Sequence, residues 1–119
     1  MKATIGKTVF SLVLVIFGVF HFMNTDGMTG MVPDWVPGGV FWVYATGVFL
    51  IAGGGAIILN KKASLAALLL AVLLLIFVLT IHLPSVMAGG DAAQSAMPML
   101  LKDLSMAAAA LYISAHVSD

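Results

Sequence analysis

Residues 63–83 read Ala-Ser-Leu-Ala-Ala-Leu-Leu-Leu-Ala-Val-Leu-Leu-Leu-Ile-Phe-Val-Leu-Thr-Ile-His-Leu, and this stretch decides the fold. It contains no formal charge and only three side chains with a polar atom, Ser64, Thr80 and His82. A helix that crosses the hydrocarbon of a bilayer needs about 20 such residues. A lone strand in lipid leaves its backbone groups unsatisfied, whereas a helix pairs them internally. Residues 63–83 are therefore expected to form a spanning helix.

Three more segments of similar length flank it. They run over residues 4–23, 39–59 and 97–116, the last dominated by Ala and Leu. The 119-residue chain is 62% hydrophobic and 8% charged, and its mean hydropathy is +1.16. A soluble domain carries roughly 25% charged residues. The composition points to an all-α integral membrane four-helix bundle, a single domain over residues 1–119. Lys2 and Lys7 ahead of an apolar run resemble the start of a signal peptide. That run continues from Thr8 to Met23 with no small-x-small site after it, so the first segment is expected to stay as a membrane anchor.

The charges set the expected orientation. Lys2, Lys7, Lys61 and Lys62 fall at one end of the segments, and the two longer loops at the other end carry Asp26, Asp34 and Asp91 without a lysine. Positive-inside places both termini in the cytoplasm and the longer loops outside. In the first loop Pro33 and Pro37 each bias the preceding valine away from helix. Trp35 and Trp42 suit the headgroup region, so this loop is expected to fold onto the membrane surface. The third loop is expected to span Pro84 to Ala96. Small residues along the second segment (Gly47, Ala52 to Ala56) and the fourth (Ser105, Ala107 to Ala110) allow close helix approach. Five lysines and five aspartates cancel, so no basic surface for nucleic acid exists. The absence of cysteine excludes disulfides, thiolate catalysis and thiolate metal sites.

Ionisable groups in hydrocarbon are costly and mark a partner or a task. His21, His82, Lys102 and Asp103 are the ones to explain. On the expected boundaries all four lie near the outer face, with Lys102 and Asp103 about two turns, or roughly 8 Å, into the fourth helix. Adjacent residues on a helix point about 100° apart, so Lys102 and Asp103 are expected to seek partners on other elements. Asp103 is a partner for His21 or His82, and Lys102 for Asp26, Asp34 or headgroups. The plain alternatives are interfacial histidines bound to carbonyls or water and a structural ion pair. The methionines Met23, Met28, Met31, Met87, Met97 and Met99 with imidazole suit Cu(I), but methionine is equally an apolar filler. Two histidines on different helices are also the ligand pattern of a b-type haem. Ser85, His82 and Asp103 lack a nucleophile elbow, so hydrolysis is not expected.

Five pieces carry a resemblance to a known family: residues 17–22 (Phe-Gly-Val-Phe-His-Phe), 31–37 (Met-Val-Pro-Asp-Trp-Val-Pro), 42–47 (Trp-Val-Tyr-Ala-Thr-Gly), His82-Leu83-Pro84 and Leu101-Lys102-Asp103-Leu104. In this order they resemble the DoxX family of small bacterial and archaeal membrane proteins. The resemblance implies a four-helix bundle in the cytoplasmic (inner) membrane and an association with redox chemistry. It supplies no catalytic residue. The reading that results is an accessory redox-linked protein. It would bind a quinone or similar amphipathic molecule through His21, Tyr44, His82, Lys102 and Asp103, with no resident metal. A redox protein or a second copy of the chain is the expected partner besides the bilayer. The rival readings are a non-enzymatic scaffold or assembly factor, and a small transporter subunit.

Overall fold

In a computed structural model, which describes residues 1–24 and 37–117, four helices follow one another and no strand occurs among the described residues. We label them α1 (Lys2–Met23), α2 (Val40–Ile58), α3 (Ala63–Ala88) and α4 (Gly90–His116). Each is long and apolar enough to cross a membrane. Their outward faces carry Leu12, Phe49, Leu69 and Leu79, all more than half exposed. Such a continuous apolar exterior is compatible with lipid and uncommon in a protein facing water.

The inward positions recur at alternating intervals of three and four. On α1 they are Ser11, Leu14 and Gly18; on α2 they are Val43, Gly47, Leu50, Gly54 and Ile57, with Thr46 buried beside Gly47. This 3.5-residue period is that of helices wound left-handedly around each other. The glycines set how close α1 and α2 come. A Cβ on Gly18 would lie 2.8 Å from the Gly47 carbonyl oxygen, and one on Gly54 would lie 2.8 Å from the Ser11 carbonyl oxygen. Gly18 thus faces Gly47 and Ser11 faces Gly54, an antiparallel pairing in near backbone contact. On α3 the inward set is Ala63, Ala67, Leu70, Leu74 and Val78, and on α4 it includes Ala96, Asp103, Ala107 and Ala110. Asp103 therefore stands on the buried seam of α4. Leu14, Leu50, Ile57, Ala67 and Leu70 form the central cluster, with Met106 and Ile113 of α4 packed against it.

The turn between α2 and α3 is only Leu59 to Lys62. It closes with Asn60 and Lys62 at φ values of 58° and 50°. At the start of α2, the Trp42 indole N–H donates to the Pro37 carbonyl. The first-loop expectations at Asp26, Pro33, Asp34 and Trp35 lie outside the described residues.

Two helices run further than the hydropathy pattern suggests. Pro84 has no N–H to donate to the Thr80 carbonyl, which ordinarily stops a helix. Here residues Val78–His82 widen into a π-turn, in which the Leu83 N–H donates to the Val78 carbonyl, and the helix continues to Ala88. The expected third loop from Pro84 to Ala96 shrinks to Gly89. The chain reverses there through Gly89 and Gly90, whose φ values are 78° and 67°, a conformation glycine adopts without steric cost. As α4 begins at Gly90, Asp103 is the fourteenth of its 27 residues. At 1.5 Å per residue it lies roughly 20 Å from the start of its helix, near the middle rather than two turns in.

Candidate functional site

The π-turn of α3 carries His82 toward α4. The His82 Nε2–H donates to Asp103 Oδ2 at 2.8 Å, and both residues are buried, His82 at 7% and Asp103 at 5% exposure. An ionised carboxylate only accepts, so this contact places an imidazole proton on Nε2. Among the described residues Nδ1 makes no hydrogen bond. The Asp103 carboxylate is shared: Lys102 Nζ stands 3.6 Å from Oδ1. Lys102 and Asp103 thus meet on one helix, against the expectation that each would find its partner only on another element. The long lysine side chain curls back far enough to reach its neighbour, while the shorter aspartate keeps its stronger contact with α3.

Lys102 also lies over the Phe17 ring of α1, 4.8 Å from its centroid. Its side chain is about half exposed, at 49%. A cation over an aromatic face gains about 0.5–2 kcal/mol depending on desolvation. The cluster thus links three helices: α3 through His82, α4 through Lys102 and Asp103, and α1 through Phe17.

His21 approaches from the same part of α1. Its Nδ1 is 2.6 Å from the Phe17 carbonyl oxygen, and its Cβ packs against the bare backbone of Gly47. Tyr44 is on the outward side of α2, 43% exposed, where its ring stacks on Phe22 with centroids 5.5 Å apart. Of the five predicted residues, then, His82, Lys102 and Asp103 meet directly. His21 is one helical turn from Phe17, and Tyr44 belongs to a separate aromatic pair. Ser85, considered for hydrolysis, donates to the Ile81 carbonyl of its own helix. Met28 and Met31 lie outside the described residues. Met23 and Met87 are exposed near helix ends, and Met97 and Met99 are exposed about two turns inside α4.

One polar contact escaped sequence reasoning. At the lysine-bearing end, the Ser64 hydroxyl donates to the Ser114 carbonyl at 2.7 Å and the Ser114 hydroxyl donates to the Ser64 carbonyl at 2.8 Å. The signal was a serine near the lysine-bearing end of each of the two helices. Residues 64 and 82 are about 27 Å apart along α3, so α3 is tied to α4 at two well-separated points, one near the end of α4 and one near its middle.

These features define an all-helical protein with four helices compatible with membrane crossing and a buried histidine–aspartate pair between the last two. The family model that matches the chain, over residues 10–114, is described as a domain of unknown function, DUF8561. The chain belongs to that family. No curated protein and no solved structure matches it. The resemblance to DoxX is thereby overturned, and the redox association it implied is left without support. The motifs behind it were short. Trp and Pro at an interface and Gly where helices touch are demanded of any small membrane bundle, so they arise without common descent.

Proposed function

We propose that this chain is a multi-pass protein of the cytoplasmic membrane whose His82–Asp103–Lys102 cluster binds the head of a small amphipathic molecule, of the quinone class. The lysine-bearing end and both termini face the cytoplasm, on the positive-inside argument. The observation that carries the binding reading is the buried contact of 2.8 Å between His82 and Asp103 at a π-turn. Single π-turns inside helices are frequent at functional sites, and an ionisable pair at membrane depth calls for a task.

The chemistry follows from the contact. With its proton on Nε2, a neutral His82 offers Nδ1 as an acceptor for a quinol hydroxyl, and Asp103 stabilises the imidazolium that forms if that proton is taken. Lys102 Nζ supplies a donor for a carbonyl oxygen. An isoprenoid tail needs only the apolar surroundings that the helices already provide. Titration of the purified protein with a short-chain benzoquinone and its quinol tests this. Binding that weakens tenfold or more in His82→Ala and in Lys102→Met, with helix content retained, is expected. Unchanged binding in His82→Ala refutes it.

A second reading is favoured by a specific observation: both Asp103 oxygens are engaged within the protein. On that reading the cluster is a lock between α3, α4 and α1 in a non-enzymatic scaffold. It predicts loss of stability on substitution with no change in any bound molecule.

A further inference from the structure

An apolar groove of about 460 Å³, whose lining includes none of the polar-cluster residues, opens between α2 and α3. Ala52 and Ala56 of α2 and Leu65 and Leu69 of α3 line it, and the exposed Lys61 and Lys62 line it at the turn between the two helices. Every other lining side chain is hydrocarbon or glycine. Along α3 the lining runs from Leu65 to Ile76, about 16 Å at 1.5 Å per residue. That is close to the depth of one leaflet, half of a hydrocarbon core about 30 Å thick.

We propose that this groove holds an anionic phospholipid, with one acyl chain along Leu65 to Ile76 and its phosphate on Lys61 and Lys62. Length and shape match an acyl chain. Charge complementarity selects the headgroup, because both lysines are exposed and no carboxylate pairs with either among the described residues. The backbone is held to this arrangement. Lys62 has a φ of 50°, a region a long L side chain seldom occupies, and such strain clusters at ligand clamps. A bound phosphate at the turn offsets the repulsion between two neighbouring cations.

The inference rests on the membrane reading above, and the experiment separates the two. The full chain is reconstituted in nanodiscs of mixed phosphatidylglycerol and phosphatidylcholine, released into mild detergent, and its retained lipids are counted by native mass spectrometry. The wild type is expected to keep phosphatidylglycerol preferentially. Lys61→Gln with Lys62→Gln is expected to lose about 30-fold of that preference, as each basic residue near an anionic surface contributes about 1 kcal/mol. Ala56→Phe fills the groove without changing charge and is expected to lose the retained lipid of either kind, with its melting temperature recorded to show that it folds. Equal retention of both lipids by the wild type, an unaltered preference in the double lysine variant, or undiminished retention in Ala56→Phe overturns the groove. Failure of the wild type to enter nanodiscs overturns the membrane reading as well.

Discussion

Replacing Gly18 by Ala adds one methyl group at the tightest point between α1 and α2. That Cβ would lie 2.6 Å from Ile51 Cγ1 and 2.8 Å from the Gly47 carbonyl oxygen, against 3.4 Å for the onset of ordinary contact. Ile51 can adjust its side chain, but Gly47 offers only backbone. The α2 helix must therefore retreat by about 0.6 Å there, and it carries the Ser11–Gly54 contact with it. Overpacking of this kind costs about 1–3 kcal/mol. The better helix propensity of alanine returns up to about 1 kcal/mol. Gly18→Ala is thus expected to lose about 1–2 kcal/mol. Gly55→Ala is the control, because nothing lies within 4 Å of a Cβ there, and it is expected to be neutral or to gain up to about 1 kcal/mol. Reversible unfolding in mixed micelles of mild detergent and dodecyl sulfate, followed by circular dichroism, measures both. A Gly18→Ala protein as stable as Gly55→Ala would refute the close approach of α1 and α2.

Asp103→Leu strands the buried His82 and is expected to cost about 3 kcal/mol, most of it recovered when His82→Leu is added, since an apolar pair replaces a buried ionic one at little cost; the same unfolding assay reads both. Ser64→Ala and Ser114→Ala are each expected to cost about 0.5–1 kcal/mol, and the double variant less than their sum because the two bonds share both residues. Orientation is testable because the chain has no cysteine of its own. Ala88→Cys is expected to react with a membrane-impermeant maleimide added to intact cells, and Lys61→Cys only after lysis; the reverse pattern would invert the topology.

The four helices were legible because each is long and apolar enough to cross a membrane, so the hydropathy signal runs through the whole segment rather than along one face. Helix ends were less so. Pro84 reads as a stop, and only the π-turn at Val78–His82 shows how the helix passes it. The site was half legible. Asp103 and His82 stood out as ionisable residues in apolar segments, and the structure brings them together. Lys102 reached Asp103 through side-chain length, which helix spacing alone does not weigh. Tyr44 was assigned to the same cluster from depth, but depth says nothing of which way around its helix a residue points. The Ser64–Ser114 clasp was invisible because serine is tolerated in any spanning helix. The family was misread because motifs that membrane physics imposes were taken for signs of kinship.

On the proposed function, the buried His82–Asp103 pair holds a molecule rather than merely holding helices. Native mass spectrometry of the protein released from its own membranes in mild detergent, beside a folded His82→Ala variant, tests it most directly. A stoichiometric small-molecule adduct, distinct from phospholipid, is expected on the wild type and is expected to be lost from the variant. A wild-type chain that carries only lipid, or an adduct that persists without His82, would contradict it.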